Sequence, residues 1–278
     1  MDIFHLREKI NKEFPLLAEY DILYILSEHT GLSAQEIKFF SDYNIDSIDL
    51  SRVYEDLQRR QCGEPLQYIT GKAYFRDYEF EVGEGVLIPR PETEILVDKA
   101  VEFLKNKKNA EVCDVGTGSG AIAVSIASEC GNSNVLAVDI SSQALGYAEK
   151  NIKKYNLSDR IKLQQSDLFE SVDEYKSFDL ITANLPYVSE VFYDVLPDEV
   201  KNFEPHSALF AENEGLYLIY KCITQSLEYL KECGAVILEI SPEQSRKVID
   251  FLERSGYSDV QPVKDLTGRE RFCLGRKN

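Results

Sequence analysis

The chain of 278 residues has only three histidines, His5, His29 and His206, and no Cys-x-x-Cys pair among its six cysteines. Metal-ligand spacing is therefore absent. The scattered thiols of Cys62, Cys113, Cys130, Cys222, Cys233 and Cys273 read as reduced and mostly buried side chains. Long apolar runs are missing too. Stretches such as GAVILEI are strand-sized, far short of the ~20 residues that a membrane span requires. The opening MDIFHLREKINKEF mixes charges into its apolar positions and shows no signal-peptide core. A soluble, cytoplasmic protein with no membrane contact, read as a monomer, is the expectation.

Basic charge is also in short supply. Residues 1–80 carry 9 basic against 15 acidic side chains, and residues 81–278 carry 22 against 33, for a net charge of -17. Non-specific nucleic-acid binding needs a basic face that releases counterions. A local patch such as Arg59-Arg60 could survive in an acidic chain, but the balance argues against direct contact with nucleic acid.

What is present is ordinary globular composition, 44% hydrophobic and 28% charged, enough to bury a sizeable core. Residues 1–70 read as a small helical bundle. EYDILYILSEHTG groups Ile22, Leu23, Ile25 and Leu26 and stops at Gly31. LSAQEIKFF opens with Ser33 and Glu36 in capping-box spacing, and DLSRVYEDLQRRQCG is amphipathic and ends on Gly63. Residues 71–90 change character. The alternation around Tyr74, Phe75, Tyr78 and Phe80, punctuated by Gly83 and Gly85, predicts a β-hairpin linker.

Residues 91–278 alternate helices and strands. ILVDKAVEFLKN, GAIAVSIASEC, SQALGYAEKNIKKYN, EGLYLIYKCITQSLEYLKECG and PEQSRKVIDFLERSG are helical. AEVCDVG, NVLAVDI, IKLQQSD, FDLITANLPY and AVILEI are strands, and DVQPVKD and RERFCLGR close the chain. Repeated β-α units imply an α/β, doubly wound, largely parallel sheet. The final pair has no intervening helix, so an antiparallel strand is expected at one edge.

Between the first strand and its helix stands VCDVGTGSGAIA, with Gly116, Gly118 and Gly120 alternating with Thr117 and Ser119. Glycines there let the backbone turn sharply and approach a ligand, while the helix start offers free N–H groups. Asp139 ends the next strand, where an acid can hold ribose hydroxyls, and Asp167 ends the third on the same edge. Dinucleotide enzymes use a similar device, so the loop alone does not choose a cofactor. Asp114 before the loop and the Gly-x-Gly-x-Gly run resemble the first motif of class I S-adenosylmethionine-dependent methyltransferases.

The fourth strand ends on Asn184, Leu185, Pro186 and Tyr187. In a doubly wound sheet that end lies beside the glycine loop. A planar amide or amino nitrogen has a delocalised lone pair and is a poor nucleophile. The Asn184 side-chain oxygen and the Leu185 carbonyl could grip its two hydrogens and favour the developing positive charge. Pro186 stiffens the segment and biases Leu185 towards extended geometry, and Tyr187 could stack on a planar group. The plainer alternative is a turn in which Asn184 bonds its own backbone.

From about Arg59 to Arg276 these residues resemble the N5-glutamine methyltransferases of peptide chain release factors, the HemK/PrmC family. RRQCGEPLQYITG looks like the family's link, LIPRPETE its signature loop, NLPY its Asn-Pro-Pro-Tyr and DLTGRERF its closing hairpin. GEPLQYITG with PRPETE is the specific part. The resemblance implies a seven-stranded methyltransferase domain with an N-terminal helical bundle that helps hold the release factor. It also implies methylation of the side-chain nitrogen of the glutamine in that factor's Gly-Gly-Gln loop. By position, Gly116 to Gly120 and Asp139 would bind S-adenosylmethionine, and Asp167-Leu168 would lie near adenine. Asn184 to Tyr187 would hold the amide, and Arg90 and Glu92 would shape the pocket wall. Leu185 stands where proline is usual, FAENEGL replaces a glycine-rich loop, and Ser241 replaces a glycine. These departures keep a catalytically inactive interaction module in view. An amino-methyltransferase acting on adenine or another exocyclic amine stands ahead of that module as the second reading, and it would be expected to show a basic groove.

Overall fold

The computed structural model describes residues 2–39, 43–46, 48–173 and 177–278. It divides into two compact units, Met1–Lys72 with Pro197–Phe203, and Ala73–Leu196 with Glu204–Asn278.

The first unit is helical, with α1 (Ile3–Glu13), α2 (Glu19–Thr30), α3 (Ala34–Phe39), α4 (Leu50–Gln61) and α5 (Leu66–Thr70). Ile3, Leu6, Ile10, Ile22, Ile25, Leu26, Val53 and Leu57 form its core. The stop at Gly31 is a left-handed cap, φ 71°, whose N–H bonds the Ser27 carbonyl. Ser33 and Glu36 close a reciprocal capping box at the start of α3. Arg59 and Arg60 are not a free basic patch. Arg59 holds Glu64 and Asp56, and Arg60 holds Asp21 at 2.9 Å and Glu199 at 3.0 Å. The Glu199 bond ties Pro197–Phe203 into this unit, a long-range link that reading along the chain does not reveal.

In the second unit, β1 (Lys72–Phe75, its first residue still in the bundle unit) and β2 (Tyr78–Glu81) pair as a two-stranded hairpin. Then come α6 (Glu94–Leu104), β3 (Ala110–Val115), α7 (Ala121–Glu129), β4 (Ser133–Asp139), α8 (Ser142–Lys154), β5 (Ile161–Gln165) and β6 (Phe178–Asn184). Four short turns of helix follow: α9 (Glu190–Tyr193), α10 (Asp198–Phe203, in the bundle unit), α11 (His206–Leu209) and α12 (Glu212–Gly215). The chain ends with α13 (Tyr217–Tyr229), β7 (Leu230–Glu239), α14 (Ser245–Arg254), β8 (Tyr257–Lys264) and β9 (Glu270–Lys277).

The seven strands run in the order β5-β4-β3-β6-β7-β9-β8. The first five are parallel, with Val115 opposite Ala183 in the β3–β6 pair. Central strands are buried on both faces, which is why β3 and β6 read as nearly continuous apolar runs. The switch point lies between β3 and β6, from which the chain runs on to opposite sides of the sheet, to β4 and to β7, and the crevice there opens at the strands' carboxyl ends.

Three expectations are corrected. The antiparallel strand is not at the edge: β9 lies between β7 and β8 and runs against both. The crossover through α14 carries the chain past one strand position, and the closing hairpin returns to fill it. The long helix expected through LEYLKECG ends at Tyr229, because Leu230 already pairs with Phe178 and Cys233 turns left-handed at φ 59°. The thiols are also less buried than expected. Cys113, Cys222 and Cys273 are buried, whereas Cys62 and Cys233 are exposed.

Candidate active site

The glycine loop is held by its own backbone. Gly116 and Thr117 both donate to the Val138 carbonyl on β4, at 2.9 and 3.0 Å, and Gly120 donates to Thr117 at 2.8 Å. Gly116, Gly118 and Gly120 have φ of 73°, 58° and 82°, which favour glycine. Space decides two of the three as well. A Cβ on Gly116 would stand 3.0 Å from the Leu185 side chain, and one on Gly120 would stand 3.3 Å from Ala148. At Gly118 the nearest atom would be Val86 at 3.9 Å, so this glycine is open to the cavity.

Asp139 joins the loop directly. One oxygen accepts the Gly118 N–H at 2.8 Å and the other the Ser141 N–H at 2.9 Å. Burial raises its pKa, against these bonds. Asp114 lies fully buried behind the loop and accepts the hydroxyls of Thr117 (2.7 Å) and Thr182 (2.8 Å). Desolvation pushes its pKa up to about 6.

The Asn-Leu-Pro-Tyr segment is held by side chains. The Asn184 Nδ2 donates to Thr93 Oγ1 at 3.2 Å, and the Thr93 hydroxyl donates to Glu239 Oε2 at 2.7 Å. That is the one hydrogen bond of the Asn184 side chain among the described residues, and it leaves Oδ1 for a ligand. Glu239 also accepts the Tyr187 hydroxyl at 3.3 Å. Burial raises the Glu239 pKa to about 7 and the tyrosine's further still. Gln244 secures the other end. Its Oε1 accepts the Ser241 N–H, and its Nε2 donates to the carbonyls of Tyr187 and Glu214, all at 2.9 to 3.0 Å. Ser241, where a glycine is usual, thus opens a capping box that orients Gln244.

A cavity of about 260 Å³ lies between the glycine loop and the Asn184–Pro186 segment. Gly116, Thr117, Gly118, Ser119, Asp139, Asp167, Leu168, Asn184, Leu185, Pro186 and Arg90 all line it. Three expected residues do not. Gly120 caps α7 beneath the loop, Tyr187 turns away to Glu239, and Glu92 is exposed. Arg90 is instead paired with the buried carboxylate of Glu204, which also accepts the Ile88 N–H at 3.1 Å. Thr93, Glu204, Glu239 and Gln244 were not singled out from the sequence. Thr93 and Glu239 sat inside quoted motifs, but their pairing spans 146 residues and leaves no local pattern. Leu185 contributes more than its carbonyl, since its buried side chain supports Gly116. Among the described residues no group of three or more His, Cys, Asp or Glu could hold a metal, and no helix is long and apolar enough to cross a membrane.

The lining suits S-adenosylmethionine: a tight strand-to-helix turn where Gly118 leaves the backbone open to the cavity, and the half-buried Asp139 carboxylate in place for its ribose. Sheet order, glycine loop and acid together define a class I S-adenosylmethionine-dependent methyltransferase domain. A "Methyltransferase domain" family model matches residues 106–254, and a "PrmC N-terminal domain" model matches residues 16–71. The chain is 38% identical to the release factor glutamine methyltransferase of Clostridium botulinum, over 85% of this chain and 84% of that one. It is 34% identical to that of Fusobacterium nucleatum, over 95% and 73%. It belongs to the release factor glutamine methyltransferase family. In fold alone it is similar to the T. thermophilus 16S rRNA N2 G1207 methyltransferase, with a TM-score of 0.55 and 19% identity over 74% of this chain and 50% of that one.

Proposed function

We propose that this chain transfers a methyl group from S-adenosylmethionine to the side-chain amide nitrogen of the glutamine in a release factor's Gly-Gly-Gln loop. The observation that carries the reading is Asn184, in the cavity wall beside the glycine loop, with Nδ2 engaged and Oδ1 available.

When bound, S-adenosylmethionine supplies an electrophilic methyl group on a sulfonium. Gly116 to Ser119, Asp139, Asp167 and Leu168, which line the cavity, would hold it. Asn184 Oδ1 and the Leu185 carbonyl accept the two N–H groups of the glutamine amide. That grip turns the nitrogen towards the methyl and favours the positive charge that develops on it. Pro186 keeps Leu185 extended so that its carbonyl is presented. As the N–C bond forms the sulfonium S–C bond would break to leave the neutral thioether, and the acidified nitrogen then gives its proton to solvent, so no strong base is required. Arg90, fixed by Glu204, closes the wall. Tyr187 anchors the segment through Glu239 rather than stacking on the substrate.

The bundle, residues 1–70, is the part assigned to holding the release factor, with 71–90 as its link to the catalytic domain of 91–278. The net charge of -17 favours a protein substrate over direct nucleic-acid contact. The chain is read as a cytoplasmic monomer.

The test is incubation with labelled S-adenosylmethionine and a purified release factor, beside a factor whose loop glutamine is changed to glutamate. Label is expected on the first and not on the second. An unlabelled wild-type factor, or equal label on both, would overturn the assignment.

A further inference from the structure

A primary amide has two ends of almost the same shape, and only the oxygen end of Asn184 can accept a substrate N–H. Something must decide which end faces the cavity. Thr93 has a single hydroxyl proton, and it points to the buried Glu239 carboxylate 2.7 Å away. An ionised carboxylate only accepts hydrogen bonds. The Thr93 oxygen therefore has only lone pairs to offer, and Asn184 must meet it with Nδ2, at 3.2 Å. A flipped amide would set two acceptor oxygens against each other in a buried setting, a costly arrangement. Glu239 also takes the Tyr187 hydroxyl, so one carboxylate fixes both ends of Asn184–Tyr187.

We propose that Thr93 and Glu239 are positioning residues that lock the Asn184 amide with Oδ1 towards the substrate, acting through Asn184 and not on the reacting atoms. The inference rests on the glutamine-methylation reading above. It makes the direction of the relay depend on Glu239 being ionised. Thr93 from the turn before α6, Tyr187 from the loop after β6, Glu92 and Arg271 are the polar and charged groups that act on that carboxylate. Once protonated, Glu239 can donate to Thr93, Thr93 can donate onwards, and the amide is free to turn over.

The experiment measures kcat, KM and S-adenosylmethionine affinity for wild type, Thr93→Val, Thr93→Ser and Glu239→Gln, with melting curves for each. Thr93→Val is expected to lower kcat about 10-fold or more while cofactor affinity stays within about 2-fold. Thr93→Ser, which keeps the hydroxyl, is expected to restore kcat to within about 3-fold of wild type. Adding Thr93→Val to Asn184→Ala should cost nothing further, because the relay has lost its object. Wild-type kcat should fall as the pH drops below about 7, and Glu239→Gln should be slow and lack that step. A wild type without transfer would overturn the function reading and this inference with it. An active wild type matched by Thr93→Val would overturn the inference alone. So would equal losses in the valine and serine variants, or a full Thr93→Val loss in the Asn184→Ala background.

Discussion

The two halves of the cavity are built by opposite means. The glycine loop takes its shape from backbone bonds to the next strand, Gly116 and Thr117 to Val138 and Gly118 to Asp139. The Asn184–Tyr187 segment takes its shape from side chains far away in sequence: Thr93, Glu239 and Gln244. A loop held by its own backbone is a general device that tolerates varied neighbours, and it serves a cofactor common to many enzymes. A segment held by buried side chains is specific to one arrangement, which suits the group that tells one substrate from another. Substitutions on the two sides should therefore fail differently, in cofactor affinity on one side and in the transfer step on the other.

The largest expected effect strikes the substrate half through packing. Gly215 has φ 79°, and a Cβ there would stand 1.9 Å from the Tyr187 carbonyl oxygen and 2.6 Å from Gln244 Nε2. Gly215→Ala must displace the Tyr187 carbonyl, at a cost of about 3 kcal/mol or more in stability. Transfer should fall with it. Chemical denaturation and a turnover assay test this, and a variant of wild-type stability would mean the segment is softer than its bonds imply. Next, Asn184→Ala should lower methyl transfer about 10²-fold or more, roughly 2.7 kcal/mol, with cofactor affinity largely intact. Retained turnover would remove Asn184 from the mechanism. Weakened cofactor binding would blur the division between the halves.

The cofactor half has one buried carboxylate of its own, and it should show in the pH dependence of stability. Burial lifts the Asp114 pKa from 3.8 to about 6. Between those values the folded state keeps a proton that the unfolded chain has released. Stability from this group is thus greatest below pH 4, declines as the pH rises to about 6, and is level beyond. Asp114→Asn removes that dependence. Relative to wild type it should gain on the order of 2–3 kcal/mol between pH 4 and pH 7. Urea midpoints of both proteins at the two pH values decide it, and a difference independent of pH would refute the assignment. On the same side, Asp139→Ala leaves the Gly118 N–H without its acceptor. S-adenosylmethionine affinity should weaken about 10-fold, with transfer at saturating cofactor largely kept. Calorimetric titration checks the first and initial rates the second.

These contrasts also explain what could be read from the sequence. Gly116, Gly118, Gly120 and Asp139 were legible because strand, loop and acid follow one another within 30 residues, Ala110 to Asp139. Asn184 was legible because it ends a strand whose neighbour the doubly wound order dictates. Thr93 and Glu239 were not assigned, because their bond joins the helix before the sheet to its fifth strand. Local pattern cannot encode such a pairing. The resemblance placed Glu92 in the pocket wall, yet the turn at Pro91–Thr93 exposes it and buries Thr93. The position of β9 was missed for a like reason. A hairpin signal shows that two strands pair, but not which gap in the sheet receives them.

The smallest effect tests the loop that departs from a glycine-rich pattern. Asn213 and Glu214 both have left-handed backbones, φ 55° and 58°, just before Gly215. Asparagine tolerates this region, whereas for glutamate it costs about 1–2 kcal/mol. Glycine at position 214 relieves that strain but gives the unfolded chain more freedom, an offset of about 0.4–1 kcal/mol. The exposed ion pair between Lys247 and Glu214 would also go, and such pairs contribute little. Glu214→Gly is therefore expected to stabilise by about 0.5 kcal/mol net, read as a small rise in denaturation midpoint. Transfer should not change, since the atom that reaches the substrate half is the Glu214 carbonyl, bonded to Gln244, which glycine keeps. A loss of transfer without a loss of stability would show that the glutamate side chain serves the site. The substrate half would then owe its shape to one more side chain than the structure assigns it.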